Sequence, residues 1–575
     1  MRVCVADHRW SGAAVLAFLI VPPQVPAATP DWVATGREAM VAADSPYASA
    51  AGLEILQAGG NAMDAATAVS FALAVTRPES TGLGGGGFLI ARFADGRVVV
   101  ADFRETAPAA STADMFVRAV ARDTQAPPPS QYGYLAAGVP GLLRGRVELL
   151  ARHGTLPLPK VLQPAIRLAR DGFAVDQTYV DDSRSAARTY EKYPALKETC
   201  NFVYRRHLRE GRPWTVGEQL HQPELARLLE GIATHGPEFF YEGPVAEALE
   251  KTMVARGGIM TAADLRGYQV RYREPLRSTY REYELLLMPP PSSGGIAIAE
   301  TLNILETVDL PHLRRAEPIV AHHYLAEAMK HAFADRARWL GDADFAAVPT
   351  AHLLSKAYAR TLAARIQPDA VGQADAYGAV QIPDDAGTSH FCVIDRWGNC
   401  VVSTETINTR FGSLAAVDEW GLILNNEMDD FTAIPGEANL FGLRQSARNE
   451  VAPGKRPLSS MSPTIVLRDG RPYLLIGGSG GPRIISSVLN VMLGVLDGQQ
   501  TLEEAMTGPR LHHQWMPDEV QFRSAVSEEI VIGLKKFGHT ISDKRGTGIV
   551  QAVAVQGSGV AGACDPLKGG IPAGY

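Results

Sequence analysis

The sequence contains few cysteines, no excess of positive charge and no long apolar segment beyond its N-terminal region. Its five cysteines include no CxxC pair, so neither a zinc site nor a dense disulfide scaffold is expected. Lys and Arg total 55 against 62 Asp and Glu, whereas nucleic-acid-binding proteins normally carry a basic excess. A membrane helix needs about 20 consecutive apolar residues, so no transmembrane domain is predicted. With 46% apolar and 20% charged residues, the chain has a globular rather than a disordered composition.

The N-terminus resembles an export signal. Two basic residues, Arg2 and Arg9, precede an apolar run over residues 13–21, and two prolines end that run. Small residues around Ala27 offer a cleavage position. The sequence therefore predicts a signal peptide over residues 1–28 and a periplasmic or secreted protein. A non-signal apolar leader is the alternative.

The pattern of predicted elements changes in the second half of the chain. Capping and stop signals predict helices over Ser45–Ala58 and Ala62–Thr76, and residues 140–360 are mostly helical. The segment Gln367–Gly387 combines Pro, Gly and Asp without clear periodicity, which indicates a linker or an exposed loop. Short β-strands separated by turns are predicted after it.

A threonine follows this linker and opens a predicted β-hairpin. A two-residue turn would pair Ser389 with Thr406 and Asp395 with Cys400, which brings Thr406 close to Thr388. If the chain were cut before Thr388, that residue would carry a hydroxyl and a free α-amine. The amine has a reference pKa of about 7.7–8.0 and can accept the hydroxyl proton. On local sequence alone, a threonine that merely opens a strand is the simpler explanation.

Three further runs carry groups suited to catalysis or binding. Asn425–Phe431 presents carboxylates after a predicted strand, and Ser459–Thr464 presents hydroxyls before another. Gly477–Gly481 joins a strand to a helix, where backbone N–H groups can stabilise an oxyanion. Each run also has an ordinary explanation: a solvated acidic turn, common turn chemistry and a structural glycine turn.

Taken together and in this order, these runs closely resemble the γ-glutamyltranspeptidase (glutathione hydrolase) family of N-terminal-nucleophile hydrolases. The resemblance extends from about residue 36 to Tyr575. Its other motifs are Gly82–Phe88, Asp102–Glu105, Thr406–Thr409 and Pro572–Tyr575.

The resemblance implies an α/β (α+β) fold, a four-layer αββα sandwich formed jointly by both fragments of one self-cleaved precursor. The large subunit would span residues 29–387 and the small catalytic subunit residues 388–575. Cleavage would fall between Gly387 and Thr388. Thr388 Oγ would then attack a γ-glutamyl carbonyl, with its own α-amine as the base and Thr406 hydrogen-bonded to it.

The remaining roles are also implied by the resemblance. The backbone N–H groups of Gly480 and Gly481 would stabilise the oxyanion. A guanidinium fork suits a carboxylate, and the substrate also carries an α-ammonium. The implied binding residues are Arg104, Ser459 and Ser460 for the α-carboxylate, with Asn408, Glu427 and Asp430 for the α-ammonium.

The implied donors are glutathione and other γ-glutamyl amides, and the acceptors are water, amino acids or dipeptides. No metal or organic cofactor is expected. One alternative is an acylase of the same fold that acts on glutaryl or cephalosporin side chains. Another is an exported γ-glutamyl-binding protein without catalysis.

Two positions depart from the family pattern, and two others remain open. Ser389 replaces a second threonine found in many members, and Phe441 replaces a tyrosine on a pocket-covering loop. The Phe441 change leaves the balance between hydrolysis and transpeptidation undecided. Cys392 and Cys400 are either a disulfide across the hairpin or two buried thiols. The pair His512–His513 is interpreted as structural, because adjacent residues point in different directions.

Overall fold

Two seven-stranded antiparallel sheets lie at the centre of the protein. The computed structural model describes residues 30–119, 126–373, 387–432 and 446–575, apart from 545, 547 and 558. The first sheet contains, from edge to edge, Val33–Gly36, Gly559–Cys564, Ile549–Gln556, Arg471–Ser479, Thr464–Arg468, Tyr283–Leu287 and Leu276–Tyr280. The second contains Ala573–Gly574, Met40–Ala43, Ser389–Ile394, Cys400–Thr406, Gly86–Arg92, Val98–Asp102 and Arg271–Arg273.

Helices cover the outer face of each sheet, and the inner faces pack against each other. Pro46–Gln57 and Ala62–Thr76 cover the second sheet, whereas Arg483–Leu496 packs on the first. Strand Ser389–Ile394 contacts Arg471–Ser479 of the opposite sheet. The layers are therefore α, β, β and α, as the family resemblance implied.

Other helices and short strands surround these layers. The other α-helices are Met115–Ala119, Leu142–His153, Leu158–Asp171, Gln177–Lys192, Leu196–Thr199, Asn201–Arg206, Pro223–His235, Glu238–Tyr241, Pro244–Arg256, Ala262–Gly267, Gly294–Leu305, Leu310–Ala316, Pro318–Trp339, Thr350–Leu353, Lys356–Ala363, Leu502–Thr507 and Glu528–Lys536. The two-stranded pairs are Phe173–Ala174 with Gln219–Leu220, Ala416–Val417 with Leu422–Ile423, and Leu511–His512 with Gln521–Phe522. No helix in the described ranges is long and apolar enough to cross a bilayer.

The core follows the two-residue period of the central strands. Phe391 and Val393 face the cluster shared with helix Ala62–Thr76, whereas Cys392 and Ile394 face the other sheet. Successive side chains of a strand point to opposite faces. Because both faces are covered, every residue of Ser389–Ile394 is buried, which explains the apolar run Phe391–Ile394.

The hairpin that begins after Thr388 has a different register from the prediction. The observed pairs include Ser389 with Glu405 and Ile394 with Cys400, rather than Ser389 with Thr406 and Asp395 with Cys400. The prediction was therefore wrong by one residue. The observed register extends to place Thr388 directly opposite Thr406.

The turn explains the shift. The Asp395 carboxylate accepts hydrogen bonds from Trp397 N at 2.9 Å and Asn399 N at 3.0 Å. Gly398 has a φ of +85°, the left-handed conformation that closes a three-residue hairpin loop. The predicted two-residue turn did not include this contribution from an aspartate side chain.

The cysteine alternatives are resolved among the described residues. Cys392 and Cys400 are both buried free thiols, and they pair with Val402 and Ile394 rather than with each other. Burial raises the pKa of Cys400 to about 12. The disulfide alternative is wrong and the thiol alternative is confirmed. The predicted signal peptide and Phe441 lie outside the described residues, as does most of the predicted linker.

Candidate active site

Thr388 lies at the point where the chain enters strand Ser389–Ile394, an inner strand of the second sheet. Its side chain is buried, and residue 388 as a whole is 6% exposed. Thr388 Oγ1 lies 3.3 Å from Thr406 Oγ1 and is hydrogen-bonded to the carbonyl oxygen of Gly387. The hydroxyl groups of Thr388 and Thr406 therefore lie next to each other and beside the peptide bond that joins Gly387 to Thr388.

Thr406 is held in place from both sides. Its hydroxyl donates to Gly387 O at 3.1 Å and accepts from Asn408 N at 2.7 Å. Gly387 has a φ of +106°, and a Cβ atom there would lie 2.7 Å from Asn408 O. Only glycine fits this conformation without strain. The carbonyl that precedes Thr388 is thus fixed against a hydroxyl donor.

Lys568 supports Thr388 and was not identified from the sequence. Its ammonium group donates to the Thr388 carbonyl oxygen. The same group forms an ion pair with Asp44 at 2.8 Å and lies 3.4 Å from Ser479 Oγ. Lys568 lies in a C-terminal loop without a local functional pattern, so only the tertiary fold places it at the site.

The glycine turn after strand Arg471–Ser479 borders the same cavity. Gly480 and Gly481 have φ values of +120° and +48°, so the turn leaves the strand in a conformation that glycine favours. Helix Arg483–Leu496 starts directly after it. Gly481 lines the cavity that contains Thr388. Gly480 precedes it in the turn but does not line the cavity.

An arginine surrounded by carboxylates forms the other side of the site. Arg104 is buried and pairs with Glu427 at 2.7 Å, Asp430 at 2.5 Å and Glu105 at 3.8 Å. Burial opposes its charge, but the carboxylates of Glu427 and Asp430 raise the pKa of Arg104 above its ordinary value. The guanidinium therefore stays protonated.

The same burial disfavours ionisation of the carboxylates. Burial raises the pKa of Glu105 to about 8, although the Arg104 charge opposes the shift. It also raises the pKa values of Glu427 and Asp430, again against the effect of Arg104. One guanidinium cannot keep three adjacent carboxyl groups fully ionised. A second cation beside Arg104 would therefore favour the ionised form of these carboxyl groups.

The structure brings the predicted binding residues into one cavity. Asn408 has a φ of +77° and donates from Nδ2 to Asn426 O at 3.0 Å. Ser459 Oγ accepts from Met461 N at 3.1 Å. The cavity is lined by Arg104, Arg336, Thr388, Thr406, Asn408, Glu427, Asp430, Leu458, Ser459, Ser460, Met461, Gly481, Pro482 and Ile484. Apart from Gly387 and Gly480, every residue in the predicted site lines it.

Two other groups of side chains lie outside this cavity. His512 contacts Ser486 and His513 contacts Asp518, so the two adjacent histidines have separate partners. Elsewhere, His323, Glu327 and His539 lie within metal-ligand distance of one another. His323 Nε2 also contacts Gln367 O at 2.7 Å, and Glu327 accepts from Lys330 at 3.0 Å and from Gly372 N at 3.0 Å. This group anchors the described residues at the start of the predicted linker, Gln367 and Gly372.

The glycine run Gly82–Phe88 provides close contacts between main chains. A Cβ atom on Gly84 would lie 2.0 Å from Ile423 O, and one on Gly85 would lie 2.0 Å from Thr406 O. The contact at Gly85 joins this run to the backbone of Thr406, so its glycines help to position the site.

Comparison with known proteins identifies the family. The sequence profile described as Gamma-glutamyltranspeptidase matches residues 48–575. The chain belongs to the γ-glutamyltranspeptidase family. It is 41% identical to the glutathione hydrolase proenzyme of Escherichia coli (strain K12), covering 94% of this chain and 92% of that protein. It is 40% identical to the acylase ACY 1 proenzyme of Pseudomonas sp. (strain V22), covering 92% and 91%.

The fold comparison agrees with this assignment. The cephalosporin acylase from Bacillus halodurans superposes with a TM-score of 0.83 at 27% identity, covering 97% of this chain and 99% of that one. As a γ-glutamyltranspeptidase family member, the protein is an enzyme with an N-terminal-nucleophile hydrolase fold. The predicted family, fold class and enzyme class are confirmed.

Proposed function

We propose that the protein is an exported, self-processing γ-glutamyltransferase and glutathione hydrolase. Its donors are glutathione and other γ-glutamyl amides, and its acceptors are water, amino acids or dipeptides. The observation that carries this proposal is the position of Thr388. Its hydroxyl lies 3.3 Å from the Thr406 hydroxyl and lines one cavity with Arg104 and two carboxylates.

Maturation begins in the uncut chain. Thr388 Oγ attacks the carbonyl carbon of Gly387, and the Thr406 hydroxyl hydrogen-bonds the carbonyl oxygen as negative charge develops there. The C–N bond breaks, the hydroxyl proton passes to the nitrogen and an ester forms. Water then hydrolyses the ester. The products are a large subunit that ends at Gly387 and a small subunit, residues 388–575, with a free α-amine.

Turnover uses the same hydroxyl with the new amine as its base. The α-amine accepts the proton of Thr388 Oγ while the oxygen attacks the γ-carbonyl of the donor. The N–H groups of Gly480 and Gly481 stabilise the tetrahedral oxyanion, a contribution of about 3–4 kcal/mol per donor in comparable sites. The leaving amine takes the proton and leaves a γ-glutamyl ester, which passes to water or to an acceptor amine.

Recognition of the γ-glutamyl group depends on opposite charges on two sides. Arg104, with Ser459 and Ser460, receives the α-carboxylate, while Glu427 and Asp430 receive the α-ammonium. Asn408 assists on the ammonium side. In the structure, Arg104 and these carboxylates pair with one another. Binding of a zwitterionic substrate therefore replaces the ion pairs between Arg104 and these two carboxylates with ion pairs to the substrate.

An acylase that acts on glutaryl or cephalosporin side chains is the second candidate, because the ACY 1 proenzyme is 40% identical. A glutaryl group has no α-ammonium, so it cannot replace the charge that Glu427 and Asp430 would lose on separating from Arg104. The presence of both carboxylates favours the γ-glutamyl substrate.

A comparison of two chromogenic substrates tests the proposal. We expect the mature protein to cleave γ-glutamyl-p-nitroanilide with a higher kcat/KM than glutaryl-p-nitroanilide, and Thr388→Ala to cleave neither. Faster cleavage of the glutaryl compound would favour the acylase. Cleavage of neither compound by the mature protein would contradict both functions.

A further inference from the structure

Arg336 is a second buried guanidinium in the active-site cavity, and the sequence analysis did not identify it. It comes from helix Pro318–Trp339 and is 2% exposed. Its Nε donates to Ser293 Oγ at 2.9 Å, and its Nη2 lies 3.4 Å from Ser460 Oγ. Its Nη1 is buried with no hydrogen-bond partner among the described residues. Leaving a buried charged donor unpaired is costly.

The donors of Arg104 are already occupied. Arg104 forms an ion pair with Glu427 through Nη1 at 2.7 Å, and it donates hydrogen bonds through Nη2 to Asp430 and through Nε to Pro457 O at 3.3 Å. An incoming carboxylate must therefore compete with the chain's own carboxylates at Arg104. Arg336 Nη1 has no hydrogen-bond partner among the described residues, so a carboxylate can bind there without displacing one.

Arg336 also remains charged in the physiological pH range. Burial lowers the pKa of Arg336 to about 10, and the Asp430 carboxylate opposes this shift. The guanidinium is therefore protonated near neutral pH. It adds a second positive charge to a cavity that also contains Arg104, Glu427 and Asp430.

We propose that Arg336 is a substrate-binding residue that donates from Nη1 to the α-carboxylate of the γ-glutamyl group while its Nη2 positions the Ser460 hydroxyl. Arg336 and Arg104 then share the carboxylate. This inference rests on the proposed function, because it assigns part of the γ-glutamyl site.

Two competitive inhibitors separate this role from a purely structural one. L-Glutamate and L-isoglutamine share the α-ammonium and the side-chain carboxylate, but isoglutamine has a neutral α-carboxamide. Their inhibition constants are measured against γ-glutamyl-p-nitroanilide. For Arg336→Gln we expect the constant for L-glutamate to rise about 10- to 100-fold. The constant for L-isoglutamine should change by less than about threefold, because it has no charged partner for Arg336. Equal changes for both inhibitors, or no change, would overturn the proposal.

A charge-conserving variant keeps the test decisive if Arg336→Gln does not mature. Arg336→Lys retains the charge but lacks the guanidinium fork. Its L-glutamate constant should rise several-fold with little change for L-isoglutamine, and an equal change in both constants contradicts the role. The exposed Arg315→Gln serves as the matched control and should leave both constants unchanged.

Measurements on the wild-type protein distinguish failure of the proposed function from failure of the Arg336 role alone. A wild-type chain that neither splits into two fragments nor cleaves γ-glutamyl-p-nitroanilide would overturn the proposed function. A mature, active wild type with equal inhibitor shifts in both Arg336 variants would overturn only the role of Arg336.

Discussion

Two threonine hydroxyls and one carbonyl oxygen meet immediately before strand Ser389–Ile394. Thr406 donates to Gly387 O at 3.1 Å, and Asn408 N fixes the same hydroxyl at 2.7 Å. The hydrogen bond to this carbonyl oxygen becomes stronger as negative charge develops on the oxygen. The arrangement therefore favours attack on the Gly387 carbonyl by the adjacent Thr388.

Removing the Thr406 hydroxyl should slow maturation. We expect Thr406→Ala to reduce the rate of chain cleavage about 10- to 100-fold, because the Gly387 carbonyl loses its hydroxyl donor. Thr406→Ser keeps a hydroxyl and should cleave at nearly the wild-type rate. The fraction of uncut chain over time on a denaturing gel measures this. Equal cleavage in Thr406→Ala and the wild type would show that the hydrogen bond is unimportant.

Short sequence motifs predicted most residues of this site. The others are revealed only by the tertiary structure. Thr388, Thr406 and Arg104 lie in or beside recognisable runs that reach one cavity. Arg336 comes from a mainly buried helix and Lys568 from a C-terminal loop. Neither has neighbours that distinguish it from an ordinary cation. No local pattern could identify them, because their partners are distant in the sequence.

At the scale of single elements, the capping and stop signals in the sequence predicted where a helix begins and ends. They did not predict which residues of two strands pair. Helix Ala62–Thr76 has the predicted bounds, since Asn61 caps its first turn and Pro78 follows its end. The hairpin register was wrong because the Asp395 side chain closes a longer turn. Strand periodicity alone cannot distinguish that turn from a two-residue one.

The segment after helix Ala62–Thr76 contains a buried acid whose ionisation depends on the fold. Glu79 is fully buried and lies 4.0 Å from the Arg77 guanidinium. Burial raises the pKa of Glu79 to about 8, although the Arg77 charge opposes the shift. An unfolded glutamate ionises near pH 4.3. The folded protein therefore holds a proton that the unfolded chain releases between about pH 4.5 and 8.

Glu79→Gln should change the pH dependence of stability. The contribution of Glu79 is greatest below about pH 4.5 and is lost as the pH rises towards 8, by at most about 1.4 kcal/mol per pH unit. Glutamine does not ionise, so the melting temperature of Glu79→Gln relative to the wild type should rise between pH 5 and pH 8. The exposed Glu242→Gln is the control. A difference that is constant with pH would contradict the raised pKa.

At the scale of the whole molecule, the proposed subunits are interleaved within both sheets. The hairpin that follows Thr388 lies between strands Met40–Ala43 and Gly86–Arg92. In the other sheet, Val33–Gly36 pairs with Gly559–Cys564, and Tyr283–Leu287 pairs with Thr464–Arg468. Separating the two parts would expose sheet edges and most of both cores.

The fragments should therefore remain together after cleavage. We expect the processed protein to elute from a sizing column as one species that contains both fragments, at any salt concentration that leaves it folded. They should separate only in a denaturant that also unfolds the sheets, because the contacts are hydrogen-bonded and apolar. Separation under native conditions would contradict a jointly built core.

Intact mass measurement shows whether Thr388 cuts the chain before itself. Wild-type protein and Thr388→Ala are purified side by side under the same folding conditions, with Thr388→Ser as a variant that keeps a hydroxyl nucleophile. We expect two fragments in the wild type, the smaller with the mass of residues 388–575, and two fragments for Thr388→Ser. We expect one uncut chain for Thr388→Ala. A single uncut wild-type chain, or cleavage of Thr388→Ala at the same bond, would contradict the assignment of Thr388 as the nucleophile.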